Sequence, residues 1–78
     1  MNIMGVNNYV DEAFGKILRK MREYRKLSQR EFAKLCNIDK TYYGHLELGR
    51  HSITLVKLDI IAQALDITVQ DLLSELPS

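Results

Sequence analysis

Seventy-eight residues leave room for one small domain, so a two-domain reading drops out. With 46% hydrophobic and 27% charged residues, four glycines and one proline, the chain can bury a core and is not a disordered tail. A formal net charge of +1 argues at face value against a nucleic-acid partner, yet residues 1–51 hold ten Lys or Arg against six Asp or Glu, whereas residues 52–78 hold one against four. This asymmetry suggests a cationic working face with an acidic remainder.

Apolar positions recur at spacings of three and four nearly throughout, with no strand-like alternation, internal repeat or Gly/Ser linker. The pattern predicts an all-α, compact five-helix bundle over residues 11–76 behind a flexible arm of residues 1–10. The first helix is expected over Asp11–Arg25, with Phe14, Ile17, Leu18 and Met21 inward and Asp11 and Glu12 in the favourable first turn. Ser28-Gln29-Arg30-Glu31 forms a capping box that opens a second helix, which continues through Phe32 and Ala33 to Cys36. Asn37 tolerates the left-handed conformation and closes that helix within a short turn. Asp39 caps a third helix that runs to Leu48 and stops at Gly49. Thr54 caps a fourth over Leu55–Leu65, with Leu55, Leu58, Ile61, Ala62 and Leu65 inward. Thr68 with Asp71 repeats the capping-box logic for a short fifth helix carrying Val69, Leu72 and Leu73, and Pro77 closes the chain.

One cysteine, Cys36, excludes an internal disulfide framework and points to a reducing compartment. No run approaches the ~18 apolar residues of a membrane span, and Met1–Val10 is uncharged and too short for a signal peptide. The expected location is cytoplasmic. Catalysis finds no nucleophile and base pair, no phosphate-cradling glycine loop and no metal set; Cys36, His45 and His51 lack paired zinc spacing. No enzymatic activity, cofactor or metal is expected.

The third helix carries the functional pattern. If Tyr43 and Leu46 point to the core, then Thr41, His45 and Leu48 lie opposite, with Lys40, Tyr42 and Gly44 on the shoulders. A helix held at its rear, with polar side chains toward its N-terminus, suits the DNA major groove, which admits one helix and displays a distinct donor and acceptor pattern for each base pair. Lys40, Thr41 and His45 can donate to guanine N7 or O6, and Thr41 can touch a thymine methyl. Each residue has a plainer reading beside this one. His45 is otherwise a surface histidine, His51 is either a phosphate contact or a solvated loop residue, and Arg19, Lys20, Arg25 and Lys26 either reach phosphate or form a solvated face. Tyr43 is expected inward and Tyr24 against the first helix, which leaves too few tyrosines for a single-strand stacking platform and favours double-stranded DNA.

Four words stand in a fixed order: Leu18-Arg19-Lys20-Met21-Arg22, Leu27-Ser28-Gln29-Arg30-Glu31-Phe32-Ala33, Tyr43-Gly44-His45-Leu46-Glu47-Leu48-Gly49-Arg50 and Leu58-Asp59-Ile60-Ile61-Ala62-Gln63-Ala64-Leu65. Together they resemble the phage-repressor/Cro (XRE-like) helix-turn-helix family over Phe14–Leu73. The resemblance implies a lambda-repressor-like DNA-binding domain. It implies phosphate contacts from Gln29 and Ser28, base-facing positions at Lys40, Thr41, Gly44 and His45, Arg50 on the backbone-tracking loop, and a structural ion pair between Arg22 and Glu47. The sequence departs from the family pattern at Asn37, where Gly is usual, at Leu48, which removes a polar contact, and at Gly44, which offers no side chain to a base.

Within the family the sequence is most similar to the small controller proteins of restriction–modification systems, whose third helix often opens with acid, base, Thr, Tyr, as Asp39-Lys40-Thr41-Tyr42 does. This implies a homodimer that switches transcription of its own operon, with RNA polymerase a further candidate partner and Tyr42 near the DNA backbone or a deformable step. An antitoxin or phage-type repressor that also binds a protein partner is the alternative. The apolar surplus of Ile67, Val69, Leu72, Leu73 and Leu76 suggests a dimer interface at the fifth helix, which would set two recognition helices about one DNA turn apart on a pseudo-palindromic operator.

Overall fold

A computed structural model describes residues 9–76 and contains, among them, five helices and no strand: α1 (Tyr9–Tyr24), α2 (Gln29–Leu35), α3 (Lys40–Glu47), α4 (Leu55–Ala64) and α5 (Val69–Leu73). The side chains of Ser28, Asp39, Thr54 and Thr68 cap α2 to α5, each accepting a hydrogen bond from the backbone N–H three residues on. Reciprocal capping boxes form at Ser28/Glu31 and Thr68/Asp71. α1 starts two residues before the expected Asp11, so Tyr9 and Val10 belong to its first turn and not to an arm. The rest of that arm, residues 1–8, and Pro77 lie outside the described residues.

The first four helices end alike. Lys26, Asn37, Gly49 and Asp66 take positive φ values of 57°, 55°, 74° and 57°. The next N–H after each, on Leu27, Ile38, Arg50 and Ile67, reaches back to the carbonyl oxygen of Arg22, Ala33, His45 and Ala62. This is the paired bonding of a Schellman closure, which satisfies carbonyls that the helix end would otherwise leave without donors. Asn37 and Gly49 are legible as helix stops; Lys26 is not, because lysine has no preference for the left-handed region, and Asp66, of a type that visits it occasionally, is a weaker signal than Gly. At three of the four closures the following residue, Leu27, Ile38 or Ile67, packs onto the core, so tertiary burial supports the left-handed turn.

The core gathers Phe14, Ile17 and Leu18 of α1, Phe32 and Ala33 of α2, Tyr43 and Leu46 of α3, Leu58, Ile61 and Ala62 of α4, and Leu72 of α5. α3 packs against both α1 and α2, while α5 folds back on α4. Cys36 is fully buried among these residues, and that burial pushes its thiol up to about 11, against the opposing charge of Arg25. It is a packing residue.

Three expectations are corrected. Leu55, expected inward, is 83% exposed, and Val56 beside it is 70% exposed. The run Leu55-Val56-Lys57-Leu58 places apolar residues nearly all round α4, so periodicity alone did not choose the buried face. Leu72, expected at a dimer interface, is fully covered inside its own chain and has no area left to offer a partner; Ile67, Val69 and Leu76 are half-buried against the same core, and Leu73 is the exposed member of that set. Tyr24, expected to cover the first helix, is 85% exposed at the end of α1. Among the described residues no helix is long and apolar enough to cross a membrane.

Candidate DNA-binding surface

The rear of α3 is anchored by one carboxylate. Glu47 accepts four hydrogen bonds: from Arg22 Nε (2.6 Å) and Nη2 (3.1 Å), from Gln29 Nε2 (3.0 Å) and from the Tyr43 hydroxyl. Arg22 Nη1 also donates to the Leu27 carbonyl at 2.9 Å, which ties the α1–α2 turn into the same network. Burial pushes the Glu47 carboxyl up, but the bonds from Arg22, Tyr43 and Gln29, with the guanidinium charge, outweigh it and hold Glu47 below the usual carboxylate range. Burial, followed by the bond to Glu47, pushes the Tyr43 phenol above its ordinary value, so it remains a donor. The pair expected between Arg22 and Glu47 therefore forms, and it joins α1, α2 and α3 through one acceptor.

Two glycines set how closely the helices approach. A Cβ at Gly15 of α1 would lie 2.4 Å from the Glu47 carbonyl oxygen and 2.5 Å from that of Leu46, so α1 crosses the end of α3 at backbone distance. A glycine inside a strong helical pattern signals such an approach, and sequence reasoning passed over it. Gly49, besides its positive φ, would place a Cβ 2.8 Å from the Glu12 Cα, and Ser52 Oγ donates to Asp11 Oδ2 at 2.6 Å. The start of α1 thereby holds the α3–α4 loop that carries Arg50 and His51.

On the outer side, Lys40 and Thr41 stand exposed on the first turn of α3. Tyr42, Gly44 and His45 are half-buried. A Cβ at Gly44 would meet only Gln29 Oε1, at 3.5 Å, so internal packing does not demand glycine there. Ser28 is exposed at the start of α2, where its N–H donates to the Glu31 carboxylate and its hydroxyl oxygen accepts from the Glu31 N–H; the bond from the Ser28 N–H, followed by the nearby Ser28 hydroxyl, holds the Glu31 carboxyl below its usual range. Gln29 is fixed by Glu47 and lies over Gly44, next to α3.

The α3–α4 loop folds back toward the outer side of α3. His51 Nε2 lies 3.1 Å from His45 Nδ1, with the two rings stacked at 5.1 Å between centroids. The Tyr42 ring lies 5.9 Å from the His51 ring, and Lys57 Nζ sits 6.0 Å from the Tyr42 centroid. The fold thus brings Tyr42, His45 and His51 together and adds Lys57, the single basic residue of the acidic third, which sequence reasoning had not placed here. His51 is the exposed member of this cluster, and Arg50 is exposed beside it. By contrast, Arg19 pairs with Glu23 at 3.0 Å, Lys20 with Glu75 at 3.9 Å, and Arg25 donates to the Met21 carbonyl, so these α1 cations have partners within the chain. Both ion pairs are exposed and add little stability.

A family model described as helix-turn-helix matches residues 18–72, from the middle of α1 to α5. The chain belongs to the helix-turn-helix family. This helix-turn-helix regulator is 39% identical over 70 residues to control protein C.MunI of a Mycoplasma species, which covers 88% of this chain and 95% of that protein. It is 32% identical over 65 residues to control protein C.SmaI of Serratia marcescens, covering 83% and 77% respectively. The crystal structure of the restriction–modification controller protein C.AhdI from Aeromonas hydrophila aligns with a TM-score of 0.77 at 35% identity, over 83% of this chain and 98% of that one. In this regulator α2, residues 36–39 and α3 form the helix-turn-helix unit.

Proposed function

We propose that this helix-turn-helix regulator is the controller protein of a restriction–modification operon. It acts in the cytoplasm as a homodimer on a pseudo-palindromic operator in its own promoter and sets the access of RNA polymerase there. The observation that carries the reading is the rigid seating of α3: its rear is locked by Tyr43, Leu46 and Glu47, while Lys40, Thr41 and His45 face outward. Thr41 and His45 read base edges, Lys40 adds charge-assisted donors, and Gly44 lets the groove approach the backbone of α3. Gln29, through its backbone N–H and remaining amide hydrogen, and Ser28 bind phosphate at the start of α2, where the helix dipole favours an anion. Arg50 and Lys57 track the backbone on the other flank.

Binding to a pool of randomised duplexes separates these roles. Thr41→Ala and His45→Ala relax the preference at individual base pairs, each contact being worth about 1–3 kcal/mol, whereas Gln29→Ala weakens all sequences nearly alike and flattens the salt dependence. Identical specificity profiles for the two kinds of variant would refute the division into base and phosphate contacts.

The dimer rests on exposed apolar side chains in the acidic third, Leu73 of α5 together with Leu55 and Val56 in the first turn of α4. Sedimentation equilibrium at micromolar concentration is expected to report a dimer that Leu55→Asp with Val56→Asp, or Leu73→Asp, converts to monomer. A wild-type monomer at that concentration removes the two-fold arrangement from the proposal.

A further inference from the structure

His51 follows the recognition helix in a loop, and its ring reaches back over the helix to stack on His45 with Nε2 3.1 Å from His45 Nδ1. We propose that His51 is a positioning residue: it fixes the tautomer and rotamer of His45, so that His45 presents Nε2–H as a hydrogen-bond donor to the DNA major groove. The inference rests on the base-reading role given to His45 above and extends it from which residue reads to which chemical feature it reads.

The argument is one of proton placement. Between two neutral imidazoles, one proton occupies the bridge, so one ring donates and the other accepts. An unperturbed neutral imidazole in water prefers the tautomer with hydrogen on Nε2. When His51 Nε2–H donates to His45 Nδ1, both rings keep that tautomer; the opposite bridge would put both in the disfavoured Nδ1–H form. The hydrogen bond made by one ring nitrogen then dictates what the other offers. With Nδ1 of His45 committed as acceptor, its Nε2–H is restricted to acceptors on a base edge. In the major groove these are guanine N7 and O6, adenine N7 and thymine O4, and the cytosine amino group is rejected.

The surrounding cluster supports the same role. Tyr42 flanks His51 with ring centroids 5.9 Å apart, and Lys57 lies 6.0 Å from the Tyr42 centroid, so the His51 ring is held between two aromatic side chains. The hydrogen bond at the ring edge, together with the contact between the two rings, leaves His45 less rotamer freedom to lose when DNA binds, which lowers the ordering cost of the contact.

Two measurements on the full chain test this. Imidazole nitrogen NMR of the free protein at about pH 8, where an ordinary imidazole is neutral, is expected to show His45 as a single Nε2–H tautomer whose Nδ1 signal carries the imprint of an accepted hydrogen bond. His51→Phe keeps a ring to stack but cannot donate, and should return His45 to the tautomer mixture of a free imidazole; His51→Gln restores a donor and should restore the single tautomer. On randomised duplexes, His51→Phe should reduce discrimination at the base pair read by His45 by about 5-fold or more, with no further loss when combined with His45→Ala and with recovery in His51→Gln. A free-imidazole tautomer mixture in the wild type overturns the proposal. Uniform weakening across all sequences with a shallower salt dependence also overturns it, because that marks His51 as a direct phosphate contact. If His45→Ala leaves the specificity unchanged, the base-reading role fails, while the NMR result still decides whether the bridge exists.

Discussion

Glu47→Ala is expected to cost about 3–5 kcal/mol of folding stability, a large share of the roughly 5–15 kcal/mol that holds a domain folded. The side chains of Arg22 and Glu47 are 14% and 4% exposed, and removing the carboxylate leaves the guanidinium, the Tyr43 hydroxyl and the Gln29 amide without their shared acceptor. The loss exceeds that of a surface ion pair because the remaining charge stays largely out of water. Urea titration measures it, and a loss below about 1 kcal/mol would show that the network contributes little net stability.

The same network carries a pH signature. Because the folded Glu47 carboxyl lies below its ordinary value, its contribution is complete above the unfolded value near pH ~4.3 and disappears as pH falls through the folded value. The stability gap between wild type and Glu47→Gln should therefore be widest near neutrality and close in acid. A gap that stays constant as pH falls from neutrality into strong acid contradicts this account.

Gly15→Ala has the next largest expected effect. An alanine normally favours a helix over glycine by up to about 1 kcal/mol, but here the added methyl would meet two backbone carbonyl oxygens of α3 at 2.4 and 2.5 Å. Backbone cannot swing aside as a side-chain tip can, so α1 must move off α3. The overpacking costs about 1–3 kcal/mol or more and loosens the Arg22–Glu47 geometry that spans the same crossing. Thermal melting should show a drop of roughly 4–8 °C for each kcal/mol of net loss. Gly44→Ala supplies the internal contrast: its methyl meets only a side-chain oxygen at 3.5 Å, so it should melt at or above the wild-type temperature. If both variants melt alike, the close crossing of α1 and α3 is not a constraint.

The modest overall charge is compatible with this function because the cations are segregated. The first 51 residues carry the excess of Lys and Arg, and the acidic remainder limits indiscriminate attraction to DNA. Under the proposed function, specific binding depends on groove contacts and on the pairing of two copies of α3 as much as on net charge.

Much of the fold is written in short-range chemistry. The Ser28, Asp39, Thr54 and Thr68 caps, the apolar spacing of the helices, the stops at Asn37 and Gly49, and the inward turn of Tyr43 and Leu46 each depend on residues within about four positions of one another. Such signals survive in a linear reading, and with the ordered family words they identify a helix-turn-helix and its outward face. Tertiary structure decided the rest. It exposed Leu55 and buried Leu72, because an apolar residue does not carry the position of the surface that will cover it. It placed Gly15 against the α3 carbonyls, gathered four donors on Glu47, and brought His51 and Lys57 against side chains of α3. Gly15 and Glu47 lie 32 positions apart, and Arg22 and Glu47 lie 25 apart. Contacts at such separation exist only once the helices have packed, because the packing sets the distances that their chemistry needs.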